Sequence, residues 1–294
     1  MDISQIARVR SFNRLVSQRI GALDDSYLAR GRPLGEARVI FEAGLAGTLD
    51  LRRLREKLGL DSGYLSRLVR SLEAQGVAEV AKSAEDGRVR ELTLTEKGRA
   101  EFEAYDNASD RLAEAILAPL DVRHRERLVA AMSEVERLMR ASAVVIAQEP
   151  AASADAQHCL SEYRAELTSR FDGGFDPSNG NNLTVEEMTP PAGYLLLARL
   201  DGQPVGCGAL KRLGPSEGEV KRVWTAPEAR GLGVASRLMD SLEQLARDVG
   251  FGMVKLDTNR ALVEAQAMYR KRGYREIGRY NDNPYAHYWF EKAL

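Results

Sequence analysis

The stretch EVKRVWTAPEARGLGVASRLMDSLEQLARDVG, residues 219–250, carries the strongest chemical signal in the chain. An apolar strand ends at Ala226-Pro227, a glycine-rich turn follows, and an amphipathic helix begins near Val234. A helix start presents unbonded backbone N–H groups at the positive end of the helix dipole. Gly231 and Gly233 let the chain turn tightly and approach an anion with no Cβ in the way, so Arg230-Gly231-Leu232-Gly233-Val234-Ala235 can cradle a pyrophosphate. A dinucleotide fingerprint reads G-x-G-x-x-G and a triphosphate loop ends in Gly-Lys-Ser/Thr, and this turn matches neither.

Arg230-x-x-Gly233-x-Ala235 instead resembles the coenzyme A loop of the GNAT acetyltransferase superfamily. Downstream, VKLDTNRALVEAQAMYRKRGYREI supplies a strand, Asn259, a helix with Ala265 and Tyr269, and then Gly273-Tyr274, which is similar to the second cofactor motif of that superfamily. The resemblance covers about residues 155–294 and implies an N-acetyltransferase with acetyl-CoA as co-substrate and an amine, expected to be a small molecule, as acceptor; the alternatives are a non-catalytic sensor of acetyl-CoA or an amine that controls DNA binding, and a protein-lysine acetyltransferase. It implies that Val223, Thr225, Arg230, Gly231, Gly233, Val234, Ala235 and Asn259 hold the cofactor, with Asn259 either on the pantetheine arm or capping the next helix.

The acceptor amine must attack as the neutral base, although a primary alkyl amine has a pKa near ~10.4 and is mostly protonated at neutral pH. Strand alternation places Glu219, Lys221, Val223 and Thr225 on one face, which makes Glu219 the candidate base, acting through water. Its alternative is an ordinary surface carboxylate paired with Lys221, Arg222 or a basic residue of the hairpin. If the strand bulges as it does in the superfamily, the Val223 N–H can serve the developing oxyanion. Tyr269 matches the tyrosine that protonates the departing thiolate; its alternative is a buried tyrosine packed on Met268 or Tyr274. The polar loop 174–182 could border the acceptor site, and the C-terminal stretch YNDNPYAHYWFEKAL supplies aromatics and His287; neither defines a substrate.

In the first half, TLDLRRLREKLGLDSGYLSRLVRSLEAQGV reads as two short helices, capped by Thr48 or Asp50 and by Asp61 or Ser62, with Gly59 as the stop between them. The second helix runs from about Ser62 to Gln75. Ser62, Gly63, Tyr64, Ser66, Arg67 and Arg70 can face outward there, while Leu65, Leu68, Val69 and Leu72 face a core. Such a helix fits a major groove, with Arg67 and Arg70 the best contacts. VAEVAKSAEDGRVRELTLT then forms a two-stranded wing about Asp86-Gly87, with Lys82, Arg88 and Arg90 reaching phosphate or minor groove. Asp86 is expected to orient Arg88, and Glu85 adds negative charge at the tip. Helix pair, wing and Leu94-Thr95-Glu96-Lys97-Gly98 together resemble the MarR family over roughly residues 1–146. The resemblance implies a homodimer formed by terminal helices, a double-stranded operator and a small-molecule effector.

These elements need supports. One long amphipathic helix is expected over 3–30, another starts at Pro33, and two more run from Glu96 to about Ile146 as a bundle or dimer scaffold. QEPAASADAQ has the character of a linker. The fold class is therefore two domains: a mainly α winged helix-turn-helix over 1–147, a linker over 148–154, and an α/β GNAT fold with a mixed central sheet over 155–294.

The chain has 294 residues, enough for two cores, with 44% hydrophobic and 29% charged residues. No apolar run approaches the ~20 residues of a membrane span, and the N-terminus lacks a secretory pattern, so a cytoplasmic location is expected. Two cysteines and three histidines without ligand spacing predict neither disulfide nor metal, and Cys207 is taken as structural. Net charge is −1, yet residues 52–90 hold nine basic and six acidic side chains, which permits DNA binding.

Overall fold

A computed structural model describes residues 2–84, 86–176, 178–179 and 183–294. Glu85 of the wing tip and Pro177, Gly180, Asn181 and Asn182 of the polar loop lie outside the described residues. The chain divides into two compact units, Met1–Ala130 and Ala131–Leu294, each with its own buried core.

In the first unit, α1 (Ile3–Arg19) is capped by Asp2 and buries none of its residues. The single helix expected over 3–30 stops short. Gly21 turns at φ +65°, and Leu28 and Ala29, at φ +52° and +57°, sit in one 3-10 turn over Tyr27–Ala29. Apolar spacing runs on to Leu28, but left-handed residues cannot continue a right-handed helix. Then come α2 (Leu34–Ala46), β1 (Thr48–Asp50), α3 (Leu51–Leu58), α4 (Ser62–Ala74), β2 (Ala78–Lys82), β3 (Arg90–Leu94) and α5 (Glu96–Leu117).

Asp50 and Asp61 cap α3 and α4, accepting from the N–H groups of Arg52 and Tyr64 at 2.7 and 2.8 Å. Gly59, left-handed at φ +61°, makes the turn between them. Leu65, Leu68, Val69 and Leu72 of α4 pack into a core with Ile40, Leu54 and Leu92. The wing is a three-stranded antiparallel sheet in the order β1-β3-β2, so β1 adds a strand to the expected pair. Thr95 caps α5 by accepting from the Gly98 N–H at 3.1 Å, and its hydroxyl donates to the Gly76 carbonyl at 2.7 Å. A Cβ on Gly98 would collide with the Val77 carbonyl oxygen, which explains the glycine of the Leu94–Gly98 motif.

The helix α6 (Val122–Ala143) runs across the division after Ala130. In the second unit, β4 (Val145–Gln148), α7 (Ala154–Arg170), β5 (Gly193–Leu200), β6 (Gln203–Arg212), β7 (Glu217–Thr225), α8 (Val234–Asp248), β8 (Met253–Thr258), α9 (Val263–Lys271), β9 (Arg275–Ile277) and β10 (Tyr288–Ala293) follow. They build a seven-stranded sheet ordered β4-β5-β6-β7-β8-β10-β9, antiparallel except for the parallel β7–β8 pair. The helices α7 and α8 pack on β6 and β7.

The segment 148–154 is not slack. Strand β4, which includes the expected end of a helix at Ile146, pairs with β5; the Glu149 N–H donates to the Leu195 carbonyl at 2.9 Å, and Ala151 is buried. Alanines suit a packed turn as well as a linker, so composition alone does not separate the two. Among the described residues, no helix is long and apolar enough to cross a membrane, and no His/Cys/Asp/Glu group could hold a metal ion.

Candidate functional site

Strands β7 and β8 pair only over Glu217–Glu219 and Met253–Lys255. Beyond that point they part; one cavity opens between them and a second adjoins it along β7, the two sharing Tyr163, Leu167, Val223, Leu262, Ala265 and Tyr269 in their walls. Strand β7 is also irregular where the cavities begin. Cys207 pairs with Trp224 and Ala209 with Lys221, so Gly208 alone stands opposite Arg222 and Val223. Arg222 takes a left-handed conformation, φ +59°, which costs a non-glycine residue about 1–2 kcal/mol. A bulge of this kind takes its extra residue out of the ladder and re-aims side chains, and Lys221, Arg222 and Val223 all line one cavity in succession.

The cavity toward the glycine turn is bounded by Thr225, Arg230, Ala235, Glu264 and Met268. The Thr225 hydroxyl is buried there and has no hydrogen-bond partner among the described residues. Arg230 reaches Glu166 of α7 at 2.7 Å, and the Trp224 indole N–H donates to the same carboxylate oxygen at 2.8 Å. Gly231 and Gly233 take φ +77° and +75° with open space where a Cβ would stand, so backbone conformation rather than crowding demands glycine. Among the described residues no side chain caps α8, which leaves its first-turn N–H groups for an outside acceptor. The turn is held from behind: Arg137 donates to the Gly231 carbonyl at 2.8 Å, and Arg237 to those of Ala141 and Val144, both at 2.7 Å.

The second cavity lies beside Asp257, Asn259, Asn283 and the aromatic group Phe171, Phe175 and Tyr285. Those three rings stand 4.9–6.0 Å apart by centroid. Asn259 uses both ends of its amide: it accepts from the Ala261 N–H at 2.8 Å and donates to the Tyr285 carbonyl at 2.7 Å. It shapes the turn ahead of α9, whose N-cap is Leu262.

Glu219 is 3% exposed and belongs to neither cavity wall. It accepts from the Tyr280 hydroxyl at 2.8 Å and from Asn281 at 3.0 Å, and pairs with Lys221 at 3.2 Å. Lys221 also reaches Asp257 at 3.5 Å, and Asp257 accepts from Asn281 and Asn283 at 2.6 and 2.8 Å. Two carboxylates thus share one ammonium, and Asp257 is the one at the cavity. Burial holds the Tyr269 phenol well above its ordinary range, with Tyr163 and Asp257 adding to the shift. Its ring packs on Tyr274 and Phe290 at 5.8 and 6.0 Å, so the packing and cavity descriptions of Tyr269 hold together.

The structure therefore brings Val223, Thr225, Arg230, Ala235, Asn259 and Tyr269 to one cleft, with Gly231, Gly233 and Val234 in the adjoining turn. Sequence reasoning missed Tyr163, Asp257, Asn281, Asn283 and Tyr285, which come from elements remote in the chain. Both cysteines are buried and free.

In the first unit, Ser62, Tyr64, Ser66, Arg67 and Arg70 lie exposed along one side of α4. Ser62, Ser66, Arg70, Arg88 and Arg90 share a groove with Arg52 and Arg55 of α3, two residues the sequence reading passed over. Arg67 lies over the Tyr64 ring, 5.6 Å from its centroid, and Lys82 is exposed on β2; neither lines the groove. Asp86 accepts from the Arg88 backbone N–H at 2.9 Å, fixing the wing turn through the main chain.

The acetyltransferase (GNAT) family model matches residues 159–274, and a winged helix DNA-binding domain model matches residues 46–112. The chain is 34% identical over 115 residues to an IAA acetyltransferase of Azospirillum brasilense, spanning 38% of this chain and 75% of that protein. It is 33% identical over 128 residues to the N-alpha-acetyltransferase RimI of Mycobacterium tuberculosis, spanning 42% of this chain and 75% of that one. It is 28% identical over 76 residues to the uncharacterised HTH-type transcriptional regulator YdgJ of Bacillus subtilis, spanning 26% of this chain and 46% of that protein. With the parted β7 and β8, the bulge and the glycine turn already in place, these likenesses mean that the chain belongs to the GNAT family of N-acetyltransferases and carries a winged helix DNA-binding domain ahead of its acetyltransferase domain.

Proposed function

We propose that the chain transfers the acetyl group of acetyl-CoA to the amine of a small molecule, and that its winged helix half binds a double-stranded operator as a homodimer. The observation that carries the enzymatic reading is the cleft itself, where an orphan Thr225 hydroxyl, an uncapped helix start behind two left-handed glycines, and Tyr269 meet. A buried hydroxyl without a partner is costly unless a ligand satisfies it, and uncapped N–H groups suit a pyrophosphate. The residues present therefore fit acetyl-CoA: the turn Arg230–Ala235 would take its phosphates, and Thr225 an amide of its arm.

Acetyl-CoA supplies a thioester as the activated acyl group. Asp257, at the cavity wall, takes the proton of the acceptor ammonium, and Glu219 stands behind it across Lys221 and Asn281. The Val223 N–H, at the bulge, serves the negative charge that develops on the acyl oxygen. Tyr269, kept neutral by burial, holds the proton that the departing sulfur needs.

For the operator, the groove holds Arg52, Arg55, Arg70, Arg88 and Arg90 against Asp50 and Glu73, an excess of positive charge of the kind phosphate contacts need. For the dimer, α1 exposes Ile3, Ile6, Val9, Phe12 and Leu15, an apolar row suited to a second copy of the helix.

Isothermal titration with acetyl-CoA, followed by an amine panel with thiol release monitored, tests the reading. Binding and release are expected, and Tyr269→Phe should lower kcat about a hundredfold while leaving acetyl-CoA affinity unchanged. Binding without release for any amine would leave a sensor in place of an enzyme, and absence of binding would remove the assignment of the glycine turn.

A further inference from the structure

The charges around the acceptor cavity do not balance in a way that suits a plain amine. Lys221 is taken by Glu219 at 3.2 Å and Asp257 at 3.5 Å, so those three groups together carry one negative charge. Arg222, in the same wall, forms no ion pair among the described residues; its guanidinium lies over the Tyr163 ring, 5.3 Å from the centroid. Its backbone is held left-handed at φ +59°, in the bulge where Gly208 faces two residues. A non-glycine residue keeps such a conformation where the surrounding structure imposes it, and strain of this kind gathers at ligand sites. In the same lining, Phe171, Phe175 and Tyr285 pack on one another at 4.9–6.0 Å between centroids and form one aromatic patch.

We infer that the acceptor is an aromatic amino acid, or an amine of the same pattern, whose carboxylate is held by Arg222, whose ring lies against the patch formed by Phe171, Phe175 and Tyr285, and whose amine faces Asp257. This rests on the acetyltransferase reading of the same site and narrows it. A guanidinium presents a planar fork of N–H donors that matches a carboxylate, and it remains charged when partly buried. An acceptor with a cationic end and an anionic end pairs with both the net negative group around Lys221 and the unpaired Arg222. A polyamine or a lysine side chain would leave Arg222 facing more positive charge. Arg222 is thereby a specificity-determining residue, which strand alternation alone would have turned away from Lys221 and Val223.

The test uses the full-length chain and two probes that differ only by a carboxylate, L-phenylalanine and phenethylamine. With coenzyme A present, titration should show L-phenylalanine binding more tightly, and thiol release with acetyl-CoA should favour it in kcat/KM by about a hundredfold, since a site built for a polar group rejects the analogue that lacks it. In Arg222→Gln the ratio of the two kcat/KM values should fall to near one, chiefly through KM for L-phenylalanine, and Arg222→Lys should keep part of the preference. The ratio is independent of the fraction of folded enzyme. Equal or better use of phenethylamine by the wild type, or a ratio unchanged in Arg222→Gln, overturns the inference while the acetyltransferase reading stands. Binding of L-phenylalanine that depends on Arg222 but gives no thiol release keeps the carboxylate site and removes the enzymatic reading. Failure of L-phenylalanine to bind overturns the inference outright.

Discussion

Lys221 lies between Glu219 and Asp257 at 3.2 and 3.5 Å, so a change at either carboxylate alters what the other feels. Asp257→Asn removes the group at the cavity wall and should lower kcat about a hundredfold, in the range of general-base losses. Glu219→Gln keeps a partner for Tyr280 and Lys221 but removes a charge behind the wall; kcat should fall about tenfold with KM for acetyl-CoA unchanged, and the double variant should fall short of the product of the two, as coupled neighbours do. Steady-state kinetics of the three variants checks this, and a larger loss in Glu219→Gln than in Asp257→Asn would reverse the assignment. Glu219 was singled out because it precedes the glycine turn on one continuous strand. Asp257 was not, although VKLDTN was singled out, because spacing along one strand does not say which strand lies across the gap. Asn281, Asn283 and Tyr285 stood in a tail whose aromatic content was plain and whose place in space was hidden.

At the scale of elements, short local signals were the most readable. Aspartate caps, the left-handed Gly59 and the apolar side of α4 all follow from interactions within a few residues, and the glycine turn before α8 likewise. Where the reading went astray, a long-range pairing or a backbone reversal decided the outcome: β1 joins β3 across the whole helix pair, and positive φ at Gly21, Leu28 and Ala29 ends the first helix early. Gly98 joins both kinds of information, a local cap and a distant carbonyl. Gly98→Ala should cost the DNA-binding unit about 1–3 kcal/mol, because the added methyl meets the Val77 carbonyl backbone rather than a yielding side chain. Urea unfolding followed by a probe in that unit would show it, and a stability equal to the wild type would mean that α5 shifts at no cost.

Across the whole molecule, four phenols of the acetyltransferase unit share one electrostatic condition. Burial is the largest cause raising Tyr163, Tyr269, Tyr274 and Tyr280, and the carboxylate of Glu219 adds to the shift at Tyr280. A phenol raised in the folded state gives stability that is fully present below the ordinary value of about 10 and is lost as pH climbs above it toward the folded value. Tm should therefore be insensitive to these groups up to about pH 10 and fall beyond it, with much of the phenolate absorbance appearing only as the unit unfolds. Phenolate signal that saturates while the fold persists would contradict this. The strand β4 bears on a different property, the tendency of chains to stick to one another. It covers the outer edge of β5, a buried strand rich in leucine, and an uncovered edge of that kind is a template for pairing with a neighbouring molecule. A fragment begun inside 148–154 would start with that template bare, whereas one begun at Ala131 would bring its own cover, so the residues that read as the end of a helix and a linker keep the sheet from recruiting other chains.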